Sequence, residues 1–354
     1  MKKLRIGVLG PSDIAFCRFL PALKKSEHFE YAGVAIAKPN ERSESYNDHE
    51  PKTVLKKSMI KAVDFTNKYE GAIFSSYEQL LSSDSIEAVY IPLPPALHYV
   101  WAKKALDYGK HVLLEKPFTT NLADTKKLLK IAEQKGLAVH ENYAFCFHEQ
   151  MNKICQLIND REIGEVRQIR AAFGFPYRGA NDFRYDRELG GGAILDCGGY
   201  PIKLSTLFLG KTAKIMTAAL HTAKNHNVDV FGSATLENDD SITAQVSFGM
   251  DNSYKCELEI WGSEGCIYAP RIFTPPANLT ATVLLKKQEV SVYEIAGNDQ
   301  FLGSINHFYH CIADNTLRLE SYAEIESQSR QIDDILNLTK KAGGNYESEI
   351  HTGC

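Results

Sequence analysis

Residues 4–15 read LRIGVLGPSDIA: a run that is apolar almost throughout passes straight into a glycine turn and then into helix-forming sequence. A strand this apolar needs cover on both faces, which a parallel sheet between two layers of helices supplies. The pattern then repeats. YAGVAIA (31–37), AVYIPLP (88–94), HVLLEKP (111–117) and LAVHENYAF (137–145) read as further strands. Between them lie helical stretches: one from Asp13 to Lys25 with Ile14, Cys17 and Leu20 or Pro21 at core spacing, and one from His98 to Tyr108 stopped by Gly109. A third, capped by Thr119 or Thr120, runs to Gly136 with lysines in its last turns. Strand and helix in alternation predict a doubly wound parallel sheet, a Rossmann domain. The polar stretch between Lys38 and Tyr69 interrupts it, and part of that stretch is expected to be an exposed, mobile loop.

The second half changes character. One helix, about 149–160, precedes strand-like runs at 165–175, 213–221, 228–236, 241–249 and 254–260, many with period-two alternation, and a polar helix over about 321–340 closes the pattern. This predicts an α+β domain with an open, mainly antiparallel sheet, helices on one face and an apolar face left to pair. The 354 residues are too many for one ordinary core, so the reading is a Rossmann domain over 1–145 and a substrate-binding and dimerisation domain over 146–354. Homodimer or homotetramer formation through the second sheet follows from that exposed face.

Several function classes drop out. Net charge is −4 and the lysine pairs are scattered, so no basic stripe is available to neutralise nucleic-acid phosphates. No apolar segment is long enough to span a bilayer, and the opening MKKLRIGVLG is too short for a signal-peptide core. Eight cysteines far apart, with no CxxC and no HExxH, predict reduced thiols in the cytoplasm and no metal; Cys146 with His148, or His221 with His226, is better read as ordinary surface or core.

The turn Gly10-Pro11-Ser12-Asp13-Ile14-Ala15 is a variant of the dinucleotide fingerprint G-x-G-x-x-G/A, with serine for the second glycine. Ser12 is small and can donate to a phosphate oxygen, while the N–H groups of the following helix do the rest. The second strand ends Ala37-Lys38 without an acid to hold a ribose 2′-hydroxyl. Lys38 can pair with a 2′-phosphate, which favours NADP(H) over NAD(H); a solvated surface lysine is the plain alternative. Glu115-Lys116-Pro117 ends a core strand, where α/β sheets place ligands. A lysine in a dry pocket beside a cationic nicotinamide is pushed toward the proton-donor range that carbonyl reduction requires. In the run Gly190-Gly191-Gly192-Ala193-Ile194-Leu195-Asp196-Cys197-Gly198-Gly199-Tyr200-Pro201, the glycines permit close backbone approach, and Asp196 and Tyr200 are four apart, on one side of a helix. Asp196 can orient a substrate hydroxyl or Lys116, and Tyr200 can donate to a carbonyl oxygen.

These motifs, with AVYIPLPPALHYVWAKKALDYGKHVLLEKPFT, IGEVRQIRAAF and ELEIWGSEGCIY, resemble the glucose–fructose oxidoreductase / inositol dehydrogenase family along nearly the whole chain. The resemblance implies catalysis by Lys116, Tyr200 and Asp196. It implies cofactor contacts from Gly10, Ser12, Asp13, Ile14, Lys38, Pro92, Leu93, Pro94, His98, Glu115, Lys116 and Asn142. Tyrosine at 200, where many members have histidine, resembles the branch of glucose–fructose oxidoreductase, dihydrodiol dehydrogenases and nucleotide-sugar 3-ketoreductases. NYAFCFHEQ, DFRYDRELGGG and RIFTPP are most similar to the ketoreductases, which implies a substrate pocket lined by Phe147, His148, Arg184, Tyr185, Asp196 and Tyr200. Reduction of a ketosugar, nucleotide-linked in that branch, is the activity implied. The same groups in reverse would serve NAD(P)⁺-dependent oxidation of a free sugar, inositol or trans-diol, and a silent dinucleotide or sugar sensor would need no proton donor. Two departures stand out: Pro95, where members often have Asn, and a longer polar insertion after Lys38.

Overall fold

The computed structural model describes residues 2–42, 51–179, 181–222 and 226–341. The described residues fall into two compact units, those up to 144 with 300–326, and those of 145–299 with 327–341.

In chain order the first unit holds β1 (Leu4–Leu9), a π-type turn at Ala15–Phe19 that leads into α1 (Leu20–Leu23), β2 (Phe29–Ala35), α2 (Pro51–Tyr69) and β3 (Ala72–Phe74). It continues with α3 (Tyr77–Leu81), β4 (Ala88–Ile91), α4 (His98–Asp107), β5 (His111–Leu114), α5 (Leu122–Lys135) and β6 (Val139–Glu141). The six strands pair in parallel in the order β3-β2-β1-β4-β5-β6. Chain order reverses between β1 and β4, the switch point at which such sheets bind ligands. Alternation along the strands feeds two cores. Leu9, Val89, Ile91, Val112 and Leu114 pack with Trp101, Leu128 and Leu129 on one face. Ile6, Val8, Tyr90 and Leu113 pack with Phe19, Phe65 and Phe308 on the other.

The second unit holds α6 (Glu149–Asn159), β7 (Val166–Gly174), a π-type turn at Ile194–Gly198 leading into α7 (Gly199–Leu209), and β8 (Lys214–Thr222), β9 (Asp229–Glu237), β10 (Thr243–Gly249), β11 (Lys255–Gly262), β12 (Cys266–Ala269), β13 (Ala281–Lys286) and β14 (Val290–Ile295). Then come α8 (Gln300–Ala313) and α9 (Asn315–Lys341). The eight strands order as β14-β13-β12-β11-β7-β10-β9-β8, antiparallel except where β7 meets β10. Both π-type turns lie just ahead of a proline, Pro21 and Pro201. Proline has no N–H for the i−4 carbonyl, so the regular α ladder is broken at these helix starts.

Several sequence expectations need correction. The second domain is expected over 146–354, yet Gln300–Glu326 belongs with the first unit. Ile305, Phe308 and Cys311 of α8 fill the same core as Phe29 and Tyr90, and Tyr322 and Ile325 of α9 fill the other. The strand expected over 137–145 ends at Glu141, because the chain turns there: the Tyr143 N–H bonds the Glu141 carbonyl and Ala144–Phe147 forms a 3-10 turn. α5 is capped by Asn121, whose side chain accepts the Asp124 N–H at 2.9 Å, and not by Thr119 or Thr120. Thr119 is drawn away to the Asn121 carbonyl and the Thr125 hydroxyl. Of the polar stretch after Lys38, residues 43–50 lie outside the described residues and 51–69 form α2.

The open face of the second sheet is mixed and not apolar. Registered neighbours Ser233, Ser247, Gln245, Arg170 and Glu259 share it with Phe231 and Trp261. Among the described residues no helix is long and apolar enough to cross a membrane.

Candidate active site

The candidate site residues Gly10, Glu115, Lys116 and Asn142 of the first unit stand where its parallel strands end. Ladder bonds continue one step past the strands: the Gly10 N–H reaches the Ala35 carbonyl, the Glu115 N–H the Ile91 carbonyl, and the Asn142 N–H the Leu114 carbonyl, at 3.0, 3.1 and 2.9 Å. Gly10, Glu115 and Asn142 are therefore set by backbone register before any side chain acts.

The Gly10 turn fits a dinucleotide. Gly10 has φ +91°, and a Cβ there would lie 3.0 Å from both Leu93 and the Tyr77 hydroxyl, so the turn keeps its backbone bare. Ser12 accepts the Ala15 N–H at 3.2 Å, closing the start of the helical run, with Asp13 and Ile14 exposed there. Asp13 pairs with Lys61 at 2.7 Å. Lys38 is exposed just past β2. Glu41, which the sequence reading passed over, is the acid nearest that point, but it is buried and takes the N–H groups of Lys38, Tyr77 and Glu78. Its carboxylate is thus spent on folding the turn.

Lys116 is half-buried and Glu115 buried. The Tyr90 hydroxyl and the Asn142 amide both donate to Glu115 Oε1 at 2.6 Å. Burial raises the Glu115 pKa, against the opposing pull of these two donors and of Lys116. Tyr90 could have been found from sequence: a phenol on a central buried strand needs a partner. The next turn is held by Glu141, which accepts the Phe118 N–H at 2.7 Å. Pro92 is buried, and Leu93 and Pro94 are half-buried.

His98 departs from its expected part. It is fully buried, with Nδ1 2.7 Å from the Pro117 carbonyl and Nε2 2.7 Å from the Leu93 carbonyl. Burial lowers its pKa to about 4, although both carbonyls pull upward. Neutral at that pKa, His98 has one N–H to donate, so it bonds one of the two carbonyls while both nitrogens lie against backbone.

In the second unit Asp196 and Tyr200 sit on the helical run that starts at Ile194. Arg184 donates through Nε to Asp196 at 2.8 Å and through Nη1 to Asp182 at 3.1 Å. Burial alone would lower the arginine pKa; Asp196 and Asp182 hold it above its ordinary value. Arg184, expected to line a substrate pocket, is committed to orienting Asp196. Tyr185 is committed too, its buried hydroxyl donating to the Met250 carbonyl at 2.6 Å. Tyr200 is half-buried among the rings of Phe145, Phe173 and Phe273.

The start of this helical run is secured by a residue that sequence reasoning missed. Asp229 on β9 accepts the Ile194 N–H at 2.7 Å. A Cβ on Gly192, at φ +121°, would lie 2.5 Å from the Asp229 carboxylate, so the glycine leaves room for the cap. Burial lifts the Asp229 pKa to about 6, against the pull of the backbone N–H groups it accepts. His148 caps α6, its Nδ1 accepting the Gln150 N–H at 3.1 Å, which leaves the hydrogen on Nε2. That buried Nε2 has no partner among the described residues, and burial lowers the ring's pKa. Phe147 beside it is half-buried.

Comparison with known proteins fits this division. Residues 4–143 match an oxidoreductase family with an NAD-binding Rossmann fold, and residues 151–268 match the GFO/IDH/MocA C-terminal domain. A dTDP-3,4-didehydro-2,6-dideoxy-alpha-D-glucose 3-reductase of Actinomadura kijaniata is 35% identical over 310 residues, 87% of each chain. A D-xylose 1-dehydrogenase (NADP(+)) of Haloferax volcanii is 31% identical over 78% of this chain and 80% of its own. The crystal structure of a 3-ketoreductase from Actinomadura kijaniata, in complex with NADP and TDP-benzene, superposes with a TM-score of 0.85 at 33% identity, covering 95% of this chain and 98% of that one. Further structures of that ketoreductase carry substitutions at a lysine and at a tyrosine 84 residues apart, the separation of Lys116 from Tyr200.

Proposed function

The chain belongs to the GFO/IDH/MocA oxidoreductase family, and on that premise we propose that it reduces a keto group of a nucleotide-linked deoxysugar with NADPH. The observation that carries this reading is Lys116 beside the buried Glu115 at the end of β5, with Tyr200 at the spacing the ketoreductase shares. When bound, the nicotinamide supplies the hydride. The Gly10 turn, Ser12 and the N–H groups at Asp13 and Ile14 would hold the pyrophosphate, and Lys38 would pair with a 2′-phosphate. Pro92, Leu93 and Pro94 shape the nicotinamide end, kept in place by His98. Lys116 and Tyr200 provide the proton that balances the hydride and polarise the carbonyl oxygen, while Asp196, fixed by Arg184, orients a substrate hydroxyl. His148 offers its Nε2–H, and Phe147 a ring, to the substrate.

The test is NADPH consumption with a dTDP-linked 3-ketosugar. Lys116→Met should lower kcat by roughly 10²- to 10⁴-fold, the share a general acid contributes, while NADPH binding stays within a few-fold. Near-normal turnover would sink the proton assignment. The likeness to a D-xylose dehydrogenase favours one second reading, NADP⁺-dependent oxidation of a free sugar by the same groups in reverse. Thermal shift separates the two, since only the first is extended by a nucleoside diphosphate; turnover of either substrate excludes a silent sensor. We further propose a cytoplasmic enzyme, no disulfide joining the described cysteines, that self-associates through the second unit's sheet. A monomer by sedimentation would refute the self-association.

A further inference from the structure

The chemistry proposed above turns on Lys116, and the charges of Lys116 and Glu115 act on one another. What holds Glu115 is a matter of which end of an amide it faces. The Asn142 group 2.6 Å from Glu115 Oε1 is the NH₂ end; the carbonyl end at that distance would set oxygen against oxygen. The other end, Oδ1, accepts from the Ser304 hydroxyl at 2.7 Å. Ser304 lies on α8, fully buried, 162 residues along the chain from Asn142.

A serine has one hydrogen to give. Ser304 gives it to Asn142, yet its oxygen also lies 2.9 Å from His140 Nε2. That second contact is bonding only when His140 carries its hydrogen on Nε2 and donates to the serine. Were His140 protonated on Nδ1 alone, its bare Nε2 would draw the serine hydrogen to itself. Asn142 Oδ1 would then face a lone pair, and the amide would lose the contact that fixes its NH₂ end on Glu115.

We propose that Ser304, with His140 behind it, is a positioning residue for the Glu115–Lys116 pair: the chain from His140 through Ser304 fixes the Asn142 amide so that it donates to Glu115. The proposal rests on the reading that Lys116 handles the proton. It also gives α8 a purpose beyond filling the core, since this helix brings Ser304 to the end of β6. The groups that act on Glu115 include Tyr90 from β4, Lys116 next in sequence and Asn142 just past β6, while Glu141 is engaged with the Phe118 N–H and His140 with Ser304. His98 on α4 interacts with Lys116. Among these the Tyr90 and Asn142 donors favour the ionised carboxylate, so loss of the Asn142 bond should make Glu115 harder to ionise.

The test uses the full chain with and without NADPH. The protonated carboxyl band of Glu115 is followed by infrared difference spectroscopy against pH, and assigned by its loss in Glu115→Gln. In Ser304→Ala the band should titrate about one pH unit higher than in the wild type. The acid limb of kcat/KM on the dTDP-linked ketosugar should move with it. Ser304→Thr, which keeps the hydroxyl, should return both. An unmoved band in Ser304→Ala overturns the proposal, and so does a shift that Ser304→Thr leaves in place, because packing then explains it. Nitrogen-15 NMR of the wild type needs no variant: His140 is expected as the Nε2–H tautomer, and Nδ1–H would overturn the chain. If Lys116→Met keeps its turnover, the proton assignment falls, while the infrared and NMR results still decide the positioning of Glu115.

Discussion

Glu115 in the first unit and Asp196 in the second are held in opposite ways. In the first, Glu115 and His98 are buried among hydrogen-bond donors and acceptors with Lys116 alongside, and burial works against charge on each: the carboxyl pKa is raised and the imidazole pKa lowered. In the second, Asp196 is held by an opposite charge, Arg184, itself braced by Asp182. A neutral hydrogen-bond network leaves protonation adjustable, whereas an ion pair fixes it. That difference matches the work proposed for each: proton handling around Lys116, and orientation of substrate by Asp196.

The comparison breaks most severely at Gly192. Gly192→Ala places a side chain at φ +121° and against the Asp229 carboxylate. Strained backbone and overpacking together should remove about 4 kcal/mol of stability. Hydrogen exchange should rise first over residues 182–200, while Glu115 and its partners stay protected. Equal loosening of both regions would mean that the ion pair is not a separately held device.

Acid should act in opposite directions through His98 and through Asp229. His98 has a folded pKa of about 4 against an ordinary 6.5, so the unfolded chain binds more protons between those values and His98 costs stability as pH falls through that window. His111, lowered to about 4 by burial and by Arg318, adds to this in the same unit. Asp229 has a folded pKa of about 6 against 3.8, so here the folded chain binds more protons, and stability grows as pH falls from 6 toward 4. Each shift is worth roughly 3 kcal/mol across its window. Urea unfolding of wild type, His98→Gln and Asp229→Asn between pH 4 and 7.5 checks it. Relative to His98→Gln the wild type should weaken toward acid; relative to Asp229→Asn it should strengthen. Slopes of one sign would end the contrast.

How much of this was legible in the sequence follows the same division. The first unit's site is local to strand ends, and glycine turns, apolar runs and EKP announce themselves within a few residues. Gly10, Glu115 and Lys116 could therefore be named, along with the parallel sheet beneath them. Ser304 and Asp229 could not, because each meets its partner across a long stretch of chain, and a buried serine or aspartate has no period to betray it. Arg184 and Tyr185 were expected to line a substrate pocket, and sequence does not say that the Arg184 guanidinium bonds Asp196 or that the Tyr185 hydroxyl bonds the Met250 carbonyl. The same held at α5, where three polar residues in a row can cap and only geometry selects Asn121.

That last residue supplies the finest test. Asn121→Ala removes the side-chain acceptor for the Asp124 N–H and should cost about 1 kcal/mol. The loss falls in the first unit, on a helix whose buried residues pack on the sheet face opposite Tyr90. Neither the Tyr90 nor the Asn142 bond to Glu115 involves Asn121. If the first unit's polar network is set by local donors and not by the unit's general firmness, Asn121→Ala should lower the unfolding midpoint yet leave the Glu115 carboxyl titration where it is in the wild type. Movement of that titration by as much as in Ser304→Ala would mean that any weakening of the first unit disturbs the carboxylate. The neutral network would then be a property of the whole core and not of its named donors.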